Sequence, residues 1–362
     1  MSPGSSSAVT SSSNGGSGGN CSAADLAALE ATIRQTLDAA AVNTTITSHP
    51  NFTVLLAAGD GRTFTYSSGN STPTTRYESA STSKWVTAAT ILEAIEQSNG
   101  MLTLDTTASS VLTPYWTEQS VTLRHLLAFT SGFSQEPPAP PLGGCVNHPN
   151  AVFADCVQRI YELNTAPPAP GTVYYYSSAH MQVAGLMTIR SMNKTSWTEV
   201  FNDFKTRTGV FPTSEYDLPS ATNPRLAGGM HWTGAEYLNF LGRLYNGTLL
   251  SMQARAELFG SQRGNAVVQA SPTLLQPPNG LGQDWAYGLG NWLECNSPTF
   301  NCPEGVRNSS PGAYGSYPFI DWQHGYYGIV ARAGMLGNYP EGIAIFRAVQ
   351  DLVDRWATRS CP

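Results

Sequence analysis

Strand-like patterning gathers at the two ends of this chain, and that narrows the available folds more than any other feature. Phe52 to Ala58 is an apolar run of strand length. A Gly59-Asp60-Gly61 turn follows, and Arg62-Thr63-Phe64-Thr65-Tyr66 alternates as a second strand. Near the C-terminus, Gly315 to Ile320 and Tyr326 to Arg332 read as strands around a turn. Gly342 to Ala348 reads as a third, before a closing helix over Asp351 to Thr358. Ala23 to Ala41 sets Leu26, Leu29, Ile33 and Leu37 on one helical face, and Trp85 to Gln97 is a strong helix. The middle, roughly 85–290, is mostly helical pattern broken by Pro-rich loops at 135–144 and 166–171.

Strands at both ends around a helical middle predict an α/β (α+β) fold: one antiparallel sheet from both termini, with a helical insertion. The expected organisation is a Ser/Gly-rich tail at 1–20, an α/β domain from 21–84 with 285–362, and a mostly helical domain at 85–284. An active site is expected at their junction.

Composition removes several function classes. Only 12% of the 362 residues are charged, the net charge is −6, and lysine occurs only at Lys84, Lys194 and Lys205. No basic cluster exists to track phosphates, so no nucleic-acid partner is expected. No run approaches about 18 apolar residues, so no membrane span is expected. The six cysteines form no C-x-x-C pair, which argues against a zinc ribbon or redox motif. Six cysteines allow fifteen pairings. Proximity favours Cys145–Cys156 and Cys295–Cys302, leaving Cys21 with Cys361; buried free thiols are the alternative. N-x-S/T sequons at Asn20, Asn43, Asn51, Asn70, Asn193, Asn246 and Asn308 agree with a secreted, disulfide-bonded glycoprotein. The N-terminus lacks an apolar signal-peptide core, so a mature or trimmed form is expected.

Gly15-Gly16-Ser17-Gly18-Gly19 fits the G-x-S-x-G elbow, but no strand precedes it and no helix follows. The stronger motif is Ser81-Thr82-Ser83-Lys84, an S-x-x-K tetrad opening the best helix. At i and i+3 the two side chains share a helix face. A lysine amine beside a serine hydroxyl can take its proton, provided burial or a neighbouring cation lowers the amine's pKa. A second tetrad, Ser191-Met192-Asn193-Lys194, lies in a polar segment and reads as a helix end and turn.

The first tetrad is followed, in order, by Thr122-Leu123-Arg124-His125-Leu126-Leu127-Ala128-Phe129-Thr130-Ser131-Gly132-Phe133 and by Pro170-Gly171-Thr172-Val173-Tyr174-Tyr175-Tyr176-Ser177-Ser178. Leu226-Ala227-Gly228-Gly229, Tyr287-Gly288-Leu289-Gly290 and Ser310-Pro311-Gly312 complete the set. From about residue 25 to 356 it resembles the serine β-lactamase-like and penicillin-binding-protein-like hydrolases: class C β-lactamases, D-Ala-D-Ala carboxypeptidases, D-aminopeptidases and family VIII carboxylesterases. The resemblance implies a β-lactamase/transpeptidase-like fold and chemistry without metal or cofactor. It implies Ser81 as nucleophile, Lys84 as its proton acceptor, and Tyr176 as partner base or acid. The implied oxyanion hole is the backbone N–H of Ser81 and of Ala313. Ser178, Ser310 and Gly312 fall at the substrate-binding positions.

Two motifs depart from the family. The Y-x-N motif reads Tyr176-Ser177-Ser178, with a shorter hydroxyl in place of a carboxamide. The third motif, usually K-T-G or H-T-G, reads Ser310-Pro311-Gly312, placed by counting 16 residues back from Gly328. The cation that would hold a substrate carboxylate is absent. Losing a charge-assisted bond costs about 1.5–3 kcal/mol, roughly 10- to 100-fold in binding. Arg332 or another arginine is the candidate replacement. The expected activity is that of a secreted serine hydrolase cleaving a small ester or amide, carboxylesterase first. A β-lactamase or D-amino-acid peptidase is the alternative, and an acyltransferase or a silent ligand-binding member comes further off. His125 is expected to be structural, His324 to lie in a surface turn, and His231 to be a lesser candidate for the cleft. The oligomeric state is left open.

Overall fold

The structure is a computed structural model and describes residues 21–118, 120–133, 144–164, 166–303 and 305–361. The N-terminal tail with its Gly15–Gly19 match and all of the 135–144 loop except Gly144 lie outside the described residues.

Helix α1 (Ala23–Val42) starts at a capping box in which Ser22 and Asp25 satisfy each other's backbone N–H. Its buried stripe of Leu26, Leu29, Ile33, Leu37 and Ala40 follows the helical period. Strand β1 (Phe52–Ala58) is buried along its whole length, because β2 (Thr63–Ser68) pairs on one side and β12 (Tyr326–Arg332) on the other. After β3 (Arg76–Glu78), a 3-10 turn (Ala80–Thr82) leads into α2 (Ser83–Gln97).

The helical middle comprises α3 (Ala108–Val111), α4 (Leu123–Leu127), α5 (Phe153–Leu163), α6 (Ala179–Ser191) and α7 (Trp197–Thr208), with β4 (Val173–Tyr175) between α5 and α6. Next come β5 (Glu215–Tyr216), β6 (Met230–Thr233), α8 (Gly234–Tyr245), α9 (Met252–Phe259) and β7 (Val267–Ala270). The chain returns to the sheet through β8 (Ala286–Tyr287), β9 (Trp292–Leu293), β10 (Arg307–Ser309), β11 (Tyr317–Asp321) and β12. It ends with α10 (Tyr339–Arg347) and α11 (Gln350–Thr358).

The main sheet runs β2-β1-β12-β11-β10-β9-β8, antiparallel throughout. Its two faces separate by strand alternation. Tyr326 meets Phe346 of α10, while Tyr327 meets Tyr245 of α8 on the opposite face. Two smaller sheets, β3-β6-β5 and the parallel pair β4-β7, flank the Ser81–Lys84 tetrad and Tyr176 respectively. The disulfides are Cys21–Cys361, Cys145–Cys156 and Cys295–Cys302. Among the described residues no helix is long and apolar enough to cross a membrane.

One expected strand is a helix. Gly342 to Ala348 lies in α10, not in the sheet. Pro340 stands in its first turn, and Tyr339, Gly342, Ile343 and Phe346 are buried at helical spacing. The Ile-Ala-Ile-Phe run reads as a strand in isolation, and the helix start at Tyr339 decides otherwise. One sequon is also closed off. Asn308 is 1% exposed, and its side chain bonds Asn291 Oδ1 at 2.7 Å and accepts from Trp322 Nε1 at 2.9 Å.

Helix α10 bears directly on the third motif. A β-carbon on Gly342 would lie 1.9 Å from the carbonyl oxygen of Gly315, which follows Gly312 in the same turn. Gly342→Ala is therefore expected to push the helix and the 312–315 turn apart, costing about 1–3 kcal/mol. A denaturant midpoint at the wild-type value, with unchanged slope, would contradict this close contact.

Candidate active site

Ser81 sits in a turn that its neighbours hold in a costly shape. Ala80 has φ +44°, a left-handed conformation that disfavours a side chain and costs on the order of 1–3 kcal/mol. The turn is pinned on both sides. Ser79 N–H donates to the Met230 carbonyl at 2.8 Å, and Met230 N–H donates to Ser83 Oγ at 3.3 Å. Ser79 and Ser83 hydroxyls bond each other, and Trp232 Nε1 donates to Thr82 Oγ1 at 2.9 Å. Strand β6 thus locks the turn to the start of α2.

Helix α2 then delivers Lys84 one turn on. Lys84 is 3% exposed; its Nζ donates to Ser81 Oγ at 2.9 Å and to the Ala227 carbonyl at 2.8 Å. Gly290, with φ +71°, packs against this point. A β-carbon there would lie 2.4 Å from the Lys84 carbonyl oxygen, so the Tyr287–Gly290 stretch needs glycine at its end.

Tyr176 lies over the same side chain, with Lys84 Nζ 4.7 Å from its ring centroid. Its ring stacks on Trp292 at 5.1 Å and meets the edges of Phe129 at 5.3 Å and Tyr287 at 6.1 Å. The backbone under it is held on both sides. Tyr176 N–H donates to Ala270 of β7 at 3.0 Å, and Tyr175 N–H to Phe129 at 3.0 Å. Gly171 N–H donates to Thr130 at 2.7 Å. Phe129, at φ +60°, turns the chain out of α4 to make these bonds. The two most specific stretches of the sequence, 122–133 and 170–178, are therefore one interlocked unit. Within the triple-tyrosine run, Tyr174 is the fully buried neighbour and Tyr176 is the ring that meets Lys84.

The third motif reaches Ser81 from β10. Ser310 Oγ donates to the Ser81 carbonyl at 3.0 Å. A β-carbon on Gly312 would be 2.6 Å from the Ser79 carbonyl oxygen. Among the described residues, the backbone N–H groups of Ser81 and Ala313 donate to no protein acceptor. Ser178 occupies the N-cap position of α6 and is half-buried.

Arg332 does not replace the missing cation. It is 0% exposed behind the 312–315 turn, and its Nη2 lies 2.7 Å from Glu341 Oε2. His231 takes the face of β6 opposite to Met230 and Trp232, and its Nδ1 bonds Asp217 Oδ1 at 2.6 Å. His125 closes a capping box with Thr122. His324, in the β11–β12 turn, groups with Asp321 and Asp354, their ligand-type atoms within 4.8 Å of one another. Arg307 Nη2 already lies 2.5 Å from Asp321, and Tyr326 donates to Asp354 at 2.6 Å, so the protein's own donors occupy these carboxylates.

Two participants were not singled out from sequence: the Ala227 carbonyl, which holds Lys84, and His180. His180 is fully buried and stacks on Phe129 at 4.9 Å. Its Nε2 lies 3.1 Å from the Tyr175 carbonyl, which only accepts, so Nε2 carries the proton. Nδ1 then accepts from Ser131 Oγ at 3.0 Å. Burial pulls the pKa down to about 3 from the ordinary 6.5; the Tyr175 hydrogen bond opposes this, and the Lys84 charge adds to it.

A family model described as Beta-lactamase matches residues 29–345. No curated protein matches the chain. Among solved structures, a protein from Bacteroides dorei described as a beta-lactamase superposes with TM-score 0.72 at 24% identity, covering 91% of this chain and 99% of that one. The hydrolase EstCE1, described as having promiscuous acyltransferase activity, gives 0.67 at 20%, covering 91% and 100%. Simvastatin synthase (LovD) from Aspergillus terreus gives 0.64 at 17%, covering 92% and 99%. At these identities the likeness is one of fold.

Because His180 is neutral in the folded state and protonates near 6.5 when unfolded, the unfolded chain binds the extra proton between those values. Its contribution to stability is present above about 6.5 and is lost as the pH falls toward about 3. The drop in Tm from roughly pH 7 to about pH 4 should be smaller in His180→Gln than in the wild type. An equal drop in both would show that other groups govern the acid limb.

Proposed function

The chain belongs to the beta-lactamase family, and we propose that it is a serine hydrolase that cleaves small esters or amides through an acyl-Ser81 intermediate, most readily as a carboxylesterase. The observation that carries this reading is the buried Lys84 Nζ, 2.9 Å from Ser81 Oγ and beneath the ring of Tyr176.

In this mechanism Ser81 Oγ attacks the substrate carbonyl carbon while its proton passes to the Lys84–Tyr176 pair. Lys84, neutral when it receives the serine proton, becomes the ammonium; that proton then passes through the Tyr176 oxygen to the leaving group as the carbonyl–leaving-group bond breaks, which restores the amine. A water then attacks the acyl-Ser81 carbonyl and gives a proton back through the same pair. The acid is released and the serine hydroxyl restored. The backbone N–H groups of Ser81 and Ala313 receive the oxyanion in both steps; their lack of a protein acceptor supports this role.

The carboxylesterase reading draws on the third motif. Ser310 offers no positive charge, its hydroxyl is turned to the Ser81 backbone, and Pro311 has no N–H. That disfavours substrates held by a carboxylate clamp at this position, as in the β-lactamase and D-peptidase alternative. Acyl transfer to an alcohol would need only a different acceptor in the second step, and the two neighbours described with transferase or synthase activity make it the second reading. The three disulfides support a secreted location.

Ser81→Ala should lower p-nitrophenyl butyrate hydrolysis by at least ~1,000-fold and abolish labelling by a fluorophosphonate. Lys84→Met should cost at least ~100-fold with the fold intact. Hydrolysis that survives Ser81→Ala would overturn the assignment. A wild type that takes no label would favour a silent ligand-binding member of the family.

A further inference from the structure

The segment Arg225–Gly229 runs along the nucleophile turn. Ala227 accepts from Lys84, and Leu226 accepts from Thr87 Oγ1 at 2.8 Å. A β-carbon on Gly228 would lie 3.2 Å from Arg225 Nε and 3.4 Å from the Ala80 carbonyl carbon. That carbon is bonded to the Ser81 nitrogen. The guanidinium and the nucleophile turn are therefore neighbours separated only by a glycine without a side chain.

Arg225 is half-buried, and its contacts are neutral. Nη1 donates to Asn147 Oδ1 at 2.5 Å and Nη2 to the Gly228 carbonyl at 3.3 Å. Arg124, Arg207, Arg263, Arg307 and Arg332 each face a carboxylate; among the described residues no ion pair joins Arg225 to one, nor the half-buried Arg255, Arg347 and Arg355. The side chain is also braced. Asn223 Nδ2 donates to the Cys145 and His148 carbonyls at 2.7 and 3.0 Å, and the Cys145–Cys156 disulfide ties that segment to α5. A charge held ready in this way loses little freedom when an anion binds.

We propose that Arg225 is an anion-recognition residue of the Ser81 cleft, and that the preferred substrates are esters or amides carrying a carboxylate. This rests on the serine-hydrolase reading above and changes its substrate class. The cation missing from the third motif is supplied from the 225–229 segment, to a different part of the substrate. Two of the five guanidinium N–H groups are occupied, and the remaining ones suit a planar carboxylate.

The test compares three esters: p-nitrophenyl butyrate, the p-nitrophenyl monoester of glutaric acid, and the butyrate ester of 4-hydroxybenzoate. They put the carboxylate nowhere, on the acyl part, or on the leaving group. The wild type should favour one anionic ester, and Arg225→Gln should cost that ester about 10-fold more in kcat/KM than it costs the others. The loss should fall on KM rather than kcat, shrink with added salt, and be partly restored in Arg225→Lys. The favoured ester identifies which part of the substrate lies along Arg225. Equal losses on all three esters, or no change in their ratios, would overturn the proposal while leaving Ser81 as nucleophile. Absence of turnover and of fluorophosphonate labelling in the wild type would overturn the serine-hydrolase reading and this inference with it.

Discussion

The site depends on how the chain enters α2. Ala80 is forced into a left-handed conformation, so Ser81 is displayed at the mouth of the helix while Lys84 stays one turn inside it. A helix that began in the ordinary way would carry no such strain. The strain persists because β6 and the Ser79–Ser83 bond leave the turn no other shape. The other parts of the site take their position from this turn. Ser310 bonds the Ser81 carbonyl, Gly312 lies against Ser79, Gly228 against Ala80, and Tyr176 over Lys84.

Lys84 meets a backbone carbonyl, a serine hydroxyl and an aromatic face. The nearby imidazole of His180 is kept neutral by burial, so it adds no competing charge. Trp292, Phe129 and Tyr287 close the far side of Tyr176 and leave its ring a single orientation. The polar groups are few and fixed, in an otherwise aromatic wall.

Two arginines show how position, rather than residue type, decides a side chain's surroundings. Arg332 lies beneath the third motif, but Glu341 neutralises it, and the turn above it excludes solvent and substrate alike. Arg225 stands beside the Ser81 turn, donates to neutral partners and remains half-exposed. Nothing local in either stretch of sequence distinguishes these two environments.

Much of the fold is legible in residue order. The mostly apolar β1 and alternating β2 announce two strands joined by a turn, and the Leu26–Leu37 stripe announces α1. The Ser81–Lys84 spacing is legible for the same reason: a helical turn is a local rule that three intervening residues satisfy by themselves. The identity of Gly342 to Ala348 was not, because a short apolar run buries equally well as strand or helix until its packing partner is known. What only the tertiary structure decided is which distant groups meet: the Ala227 carbonyl on Lys84, His180 under Phe129, Ser310 on Ser81, and the separate fates of Arg332 and Arg225. Helix and strand periods are written in neighbouring residues, whereas these contacts join segments that are far apart in the chain. They exist only once the sheet has closed around α2.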